Sequence, residues 1–420
     1  MSERIDLQNY IDYFVFQTYI QNRDWLGIEW GLNNVKIWRP DTAGGRWRYM
    51  MYDTDFGFGI YGGNVYLNTL ASARNPGFPN LHSQLFDHVL DNQEFKCQFA
   101  NRYNDLMNTT FQPANFNATA DVLQAELAPA IPDHIDRWGS LMGPFSYANW
   151  LNSIGGIKSY NQQRITTARQ HLNQTLNLQG TRLVNMFSVP AQGGRIRLNS
   201  LLPELPWSGS YNGACPVHAA AVPNWGYLFS HWSSSNANYS GRTEDSLEVQ
   251  LSSNTSLTAH FERCEDVVNV AIASVGNRLV PSMNLEIADL TYTWLYGDAV
   301  VSNDSVLYNP IQGDYRLLVR FDSCEVRSNV LRIERETYAL HLFPNPTAGE
   351  LTLQFVLGEP QDLTVGIYNT LGELMLRQDF KGYQGQFNST FDVRALSAGL
   401  YFVRAETPDK AYSGKFIKED

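Results

Sequence analysis

Residues 22–59 read NRDWLGIEWGLNNVKIWRPDTAGGRWRYMMYDTDFGFG and concentrate Asp24, Asn33, Asn34, Asp53 and Asp55. These residue types suit phosphoryl transfer, which asks little of a protein. One carboxylate takes the acceptor hydroxyl's proton, while an Asn and an Asp hold the Mg²⁺ ions that bridge the nucleotide phosphates. The chain order fits that division: an Asp after a helix, an Asn at a strand start, an Asp at the next strand's end. Asp55-Phe56-Gly57 also spells the kinase tripeptide, although three letters match easily by chance. Two other readings stand beside this one. Asp and Asn cap helices and turns, because their side chains satisfy nearby backbone N–H groups. Asp53 with Asp55 also has the oxygen chemistry of a calcium site.

The elements that must position these residues follow from periodicity. Residues 7–21, LQNYIDYFVFQTYIQ, carry apolar side chains at spacings of three and four and predict a helix. Residues 34–39 and 47–53 read as strands flanking the turn Pro40-Asp41-Thr42-Ala43-Gly44-Gly45, hence a hairpin. Residues 83–108 predict one or two amphipathic helices, and 120–138 and 157–176 predict further ones. Near residue 187 the pattern changes to short alternating strands separated by Gly, Pro, Asn and Ser turns. Three β modules of similar size can be cut, at 187–264, 265–337 and 338–420, with no evident repeat among them. Each is expected to fold around its own core. The fold class is therefore multidomain.

Composition narrows the function classes. The 420 residues are 43% hydrophobic and 13% aromatic, which excludes a largely disordered chain. A net charge of −11 argues against nucleic acid as a partner. Lys is scarce, with none between Lys158 and Lys381, and such a Lys-poor, Asn- and aromatic-rich chain suits an exported protein. No apolar run is long enough for a transmembrane helix. The first residues lack the basic and apolar regions of a signal peptide. Cys97, Cys215, Cys264 and Cys324 form no zinc-spaced cluster. Cys264 with Cys324 would bracket one β domain, and four unpaired thiols are the alternative.

The stretch NYIDYFVFQTYIQNRDW…NNVKIWR…GGRWRYMMYDTDFGFG resembles the CotH family of atypical, secreted-type protein kinases. The resemblance continues through LFDHVLDNQEFKCQFANRYNDLMN, IPDHIDRWG and SYNQQRITTARQHL, and so covers about residues 5–186. It implies an α+β kinase-like C-lobe over 1–186, mainly helical with a short hairpin, which transfers phosphate from ATP to Ser of a protein substrate. Carried over, Asp24 is the catalytic carboxylate. Asn34 and Asp53 hold Mg²⁺ or Mn²⁺, with Asp55 as the alternative or second ligand. The resemblance also implies a missing N-terminal lobe, with its glycine-rich loop and phosphate-binding Lys or Arg. Lys36 is the only Lys in the first 90 residues, and it follows the catalytic position. The chain is thus expected to be a truncated, inactive part of a longer secreted protein, or one with a wrongly chosen start.

Three small β-sandwich or β-rich modules complete the expected architecture. Residues 187–264, with Gly226-Tyr227, Phe229 and Trp232, resemble the divergent internalin B-type repeat of bacterial surface proteins. Residues 265–337 resemble their immunoglobulin-like modules, with Trp294 in the core and Tyr315 following a Gly-Asp turn. Residues 338–420, with LFPNPTAGELTLQF, VGIYNTLGELM and LSAGLYFVRAETPDKAYSGKFIKED, resemble the C-terminal sorting domain of the Bacteroidetes type IX secretion system. That implies recognition by the outer-membrane translocon, an exposed basic ending at residues 415–418, and a secreted or cell-surface location. The competing function class is a non-enzymatic surface or adhesion protein that uses the kinase-like half as a scaffold.

Overall fold

A computed structural model describes residues 1, 3–141, 145–333 and 340–420 of the chain. The expected 337/338 module boundary lies outside them. Contacts divide the chain into two compact units, Met1–Pro223 with Phe229–Phe261, and Asn224–Leu228 with Glu262–Asp420.

The first unit is built on α1, Leu7–Ile20, which Asp6 caps by accepting from the Asn9 N–H. Tyr10, Tyr13, Phe14, Val15, Tyr19 and Ile20 are all buried. A helix buried around most of its circumference must be central, and the others assemble about it: α2 Thr69–Arg74, α3 Leu81–Val89, α4 Gln93–Asn108, α5 Pro113–Leu127, α6 Ile131–Trp138 and α7 Tyr147–Leu176. Aromatic stacks join the layers, Phe14 on Phe86 at 4.1 Å and Tyr19 on Phe111 at 3.9 Å. The expected hairpin forms from β1, Lys36–Trp38, and β2, Arg48–Met50.

The helical segment does not end where the β pattern begins. Strand β3, Thr181–Val189, runs across the 186/187 division. It enters a sheet with β5 Trp207–Asn212, β7 Tyr227–Ser234 and β9 Thr255–Arg263, pairing in parallel with β9. A second sheet holds β4 Gly194–Leu198, β6 Val217–Pro223 and β8 Ser246–Val249. A disulfide, Cys97–Cys215, ties α4 to the β5–β6 loop. Asp105 of α4, fully buried, accepts from Tyr211 Oη at 2.7 Å and from the Ser200 N–H at 3.1 Å. The first β module is therefore packed and cross-linked to the helices rather than independent of them.

The second unit has two cores. One lies between the sheet β10 Val270–Val275, β11 Arg278–Met283, β14 Leu307–Tyr308 and the sheet β12 Thr291–Tyr296, β13 Ala299–Ser302, β15 Gly313–Phe321, β16 Cys324–Arg327, with β17 Leu331–Ile333 on β15. Trp294 is fully buried there, as expected of the immunoglobulin-like module. Gly313-Asp314 belongs to β15 and is not a turn. The short helix α8, Cys264–Val267, begins at the Cys264–Cys324 disulfide.

The last core is covered by β18 His341–Phe343, β19 Glu350–Tyr368, β20 Leu374–Asp392, β21 Gly399–Glu406 and β22 Ala411–Lys418. The ending is not an exposed basic tail. Residues 415–418 lie in β22, with Phe416 fully buried and Lys418 only 5% exposed. Beyond its ladder with β21, β22 is bound on its other side by Asn345 and Thr347. The alternation that makes it a strand turns two of the four residues inward.

Candidate functional site

Helix α1 stops at Gln21, whose left-handed φ of 59° turns the chain out of the helix. Its last carbonyls would be orphaned at a buried end. Arg164 of α7, itself buried, donates to Thr18 O at 3.0 Å and Tyr19 O at 2.7 Å and satisfies them. Gln21 is held by Tyr160 Oη and by the Val65 and Leu67 carbonyls. The turn at residues 21–24 is thus pinned from α7 and from the segment before α2.

Asp24 emerges from this turn. One carboxylate oxygen accepts from Asn33 Nδ2 at 2.7 Å and the other from Asn34 Nδ2 at 3.2 Å. Asn34 Nδ2 also donates to the Asp24 main-chain oxygen at 2.8 Å, which leaves Asn34 Oδ1 as that amide's acceptor face. Asn34 is in the left-handed region, φ 54°, and its carbonyl receives Tyr13 Oη, which in turn accepts from Trp25 Nε1 at 2.7 Å. A buried tyrosine and tryptophan therefore hold the backbone on both sides of the Asp24–Asn34 contact.

Asp53 follows β2, also left-handed with φ 50°, and its main-chain oxygen accepts from Asn22 Nδ2 at 3.2 Å. Its carboxyl is pushed above the ordinary aspartate value, first by partial desolvation, then by a hydrogen bond and like charge from Asp55, then by the charge of Asp24. The structure thus brings Asp24, Asn34, Asp53 and Asp55 into one electrostatic neighbourhood, on an exposed face. Two residues given no role by the sequence, Asn33 and Asn22, belong with them. Asn33 is the shorter of the two amide contacts to Asp24. Asn22 is fully buried, with an Oδ1 that has no hydrogen-bond partner among the described residues. Both sit within the same 22–34 segment, so proximity in sequence was an available signal.

Among the described residues, no group of three or more His, Cys, Asp or Glu side chains is gathered closely enough to hold a metal alone. The expected set is of another kind, two carboxylates and an amide oxygen. Mg²⁺ is usually bound by one or two carboxylates with waters and phosphates completing the shell. An Asp53 carboxyl raised by the neighbouring Asp55 and Asp24, with the Asn34 amide oxygen as a further donor, fits that demand. The hairpin and the loops flanking it expose apolar side chains among basic ones: Trp30, Ile37, Trp38, Met50, Met51 and Tyr61 are 41 to 65% exposed.

Comparison with known proteins agrees with this layout. Residues 1–167 match the family model described as CotH kinase protein. Residues 189–265 match the divergent InlB B-repeat domain, and residues 341–419 the secretion system C-terminal sorting domain. The chain is thus multidomain, with a CotH-like region at its start and a sorting-domain-like region at its end. It joins a CotH kinase-family region to a B-repeat and a secretion-system sorting domain. No curated protein matches the chain. Among solved structures, it is similar to the BSP domain of a biofilm associated protein at 11% identity, over 52% of this chain and 49% of that one, with a TM-score of 0.18. A two-domain fibronectin type-III segment of chicken tenascin matches at 10% identity, over 36% and 98%, with a TM-score of 0.17. The chain spans about half the length of the first of these, and such TM-scores assign no fold. The sorting domain supports a secreted or cell-surface location. Among the described residues no helix is long and apolar enough to cross a membrane.

Proposed function

We propose that the helical unit is the acid-bearing part of an ATP-dependent phosphotransferase acting on Ser of an exported or surface protein substrate. The observation that carries this is the convergence of Asp24, Asn34, Asp53 and Asp55 on one face through two left-handed residues. Asp24, oriented by Asn33 and Asn34, takes the proton of the attacking hydroxyl at a carboxylate oxygen. Asn34 and Asp53, with Asp55, would hold Mg²⁺ or Mn²⁺, which neutralises phosphate charge when bound. The exposed apolar side chains of the hairpin and its flanking loops support a further part of the reading: in the active form a nucleotide-holding lobe covers this surface. On that reading the chain alone does not transfer phosphate.

Two measurements test this. Mn²⁺ titrated into the chain and followed by electron paramagnetic resonance should bind, and binding should weaken at least tenfold in Asp53→Asn/Asp55→Asn. Radiolabel transfer from ATP by the full-length gene product should collapse in Asp24→Ala and in Asp53→Ala. Full transfer in both variants refutes the assignment. A second reading, a surface protein with the helical unit as scaffold, is favoured by the B-repeat fused directly onto α4. Absence of both Mn²⁺ binding and transfer would select it.

A further inference from the structure

The first unit contains a cleft of about 930 Å³ that shares no residue with the acid cluster. One wall is α1 and α4; the other is built from β6, β8 and the β4–β5 and β5–β6 loops, beside the Cys97–Cys215 disulfide. Its volume falls within the range of small-ligand sites, about 300–1,000 Å³.

The hydrogen bonds of the lining residues show what the walls have left to offer. Six amide side chains line the cleft, and each already gives an N–H to the protein. Gln8 donates to Asp12, Gln93 to Cys97 Sγ and Gln98 to Glu94. Asn101 donates to the Pro216 carbonyl, Asn199 to Asp105 and Gln250 to the Gly213 carbonyl. The guanidinium of Arg102 is taken up by Asp12, at 2.6 and 3.3 Å, and by Ser200 at 2.9 Å. Each amide keeps a second N–H beside its carbonyl oxygen, so the charge and the orphaned acceptor of the walls decide which ligand they favour. Asn101 is 7% exposed, and its Oδ1 is buried with no partner among the described residues. Glu94 and Glu248 are exposed carboxylates on the lining, and neither is ion-paired to Lys or Arg among the described residues. A buried acceptor without a donor is costly, so this wall favours a ligand that supplies one.

We propose that this cleft binds a cationic amine, a primary ammonium or a guanidinium, which places an N–H on Asn101 Oδ1 and has its charge balanced by Glu94 and Glu248. Both groups carry several donors and no acceptor, the complement of Asn101 Oδ1 and the two carboxylates. An anion would meet unpaired carboxylates. The same chemistry is offered by a free polyamine and by a Lys or Arg side chain of a peptide, and the test separates them.

Isothermal titration calorimetry of the chain at physiological ionic strength should use spermidine in one arm and a capped Lys-Arg-Lys peptide in the other. Binding in either arm should weaken at least tenfold in Glu94→Gln/Glu248→Gln. It should be unchanged in Glu286→Gln/Asp298→Asn, which removes the same charge from exposed positions of the other unit. A response to spermidine alone identifies a free amine as the ligand class, and a response to the peptide alone identifies a side chain. No binding in either arm overturns the proposal. So does equal weakening in the two double variants, which would reduce the effect to net charge.

Discussion

Asp105 offers the sharpest test of how the helices and the first β module are held together. It is fully buried on α4 and, among the described residues, has no cationic partner. Tyr211 Oη, the Ser200 N–H and hydroxyl, and Asn199 Nδ2 all donate to it from the β module. Asp105→Ala strands the fully buried Tyr211 hydroxyl and the partly buried Ser200 N–H. An orphaned buried donor costs about 1–3 kcal/mol, so the pair implies a loss of about 3 kcal/mol. Ser200 is exposed and contributes at the low end, because water can replace its partner. Asp105→Asn keeps the shape and one acceptor, and should cost about 1–2 kcal/mol at neutral pH.

The pH dependence adds a sign. Burial pushes the Asp105 carboxyl above its ordinary value, and the donated hydrogen bonds only partly offset this. The folded state therefore holds a proton that the unfolded chain releases. That stabilisation is complete below the unfolded carboxylate value, about 3.9, and is lost as pH rises through the folded value. Asn cannot gain it. Urea unfolding followed by tryptophan fluorescence should show Asp105→Asn more destabilised, relative to wild type, at pH 4.5 than at pH 8. A loss below 1 kcal/mol for Asp105→Ala, or an Asp105→Asn penalty that grows with pH, would refute this account of the interface.

Other outcomes follow from the same geometry. Arg164→Met should destabilise the first unit by about 3 kcal/mol in urea titrations, because the Thr18 and Tyr19 carbonyls lose their buried donor; retained stability would show that water caps α1 instead. Burial and Arg164 lower the His171 pKa to about 4. The stabilisation from keeping that ring neutral is full above about 6.5 and declines as pH falls toward 4. His171→Gln should flatten this slope in unfolding midpoints measured across the window. Cys97→Ser/Cys215→Ser opens a loop of sequence separation 118 and should cost about 4 kcal/mol by differential scanning calorimetry. Removing residues 415–420 strips Phe416 and Lys418 from the sheet, so it should unfold the last module as read by circular dichroism. Lys415→Glu, at an exposed position, should leave the fold intact.

The parts of the fold that were legible were those where burial imposes a period. Helix α1 was readable because nearly every residue from Tyr10 onward faces the core. Helix α7 begins ten residues before its pattern does. No side chain before Tyr160 is buried in it, and Gly155-Gly156 weakens the local preference. The acids were visible because their types and chain order suffice to suggest chemistry. Arg164 was not: it reaches the end of α1 across 145 residues, and no local pattern marks an arginine that caps a distant helix. The Cys97–Cys215 bridge was hidden for a similar reason, since its two ends lie in segments that read as different domains. The buried ending of β22 was misread because basic letters suggest solvent, whereas strand alternation decides which of them face inward.

The Cys97–Cys215 bridge also changes what a broken peptide bond means for this molecule. It encloses α5, α6, α7 and the first strands of the β module. A protease acting near the exposed Leu141 would sever the backbone without releasing either piece. The fragments would stay joined covalently, with α7 still seated on α1. Outside the cell, where disulfides persist, such a nicked molecule keeps its mass, its place and its buried surfaces. Damage there would be silent until a reductant separates the two chains.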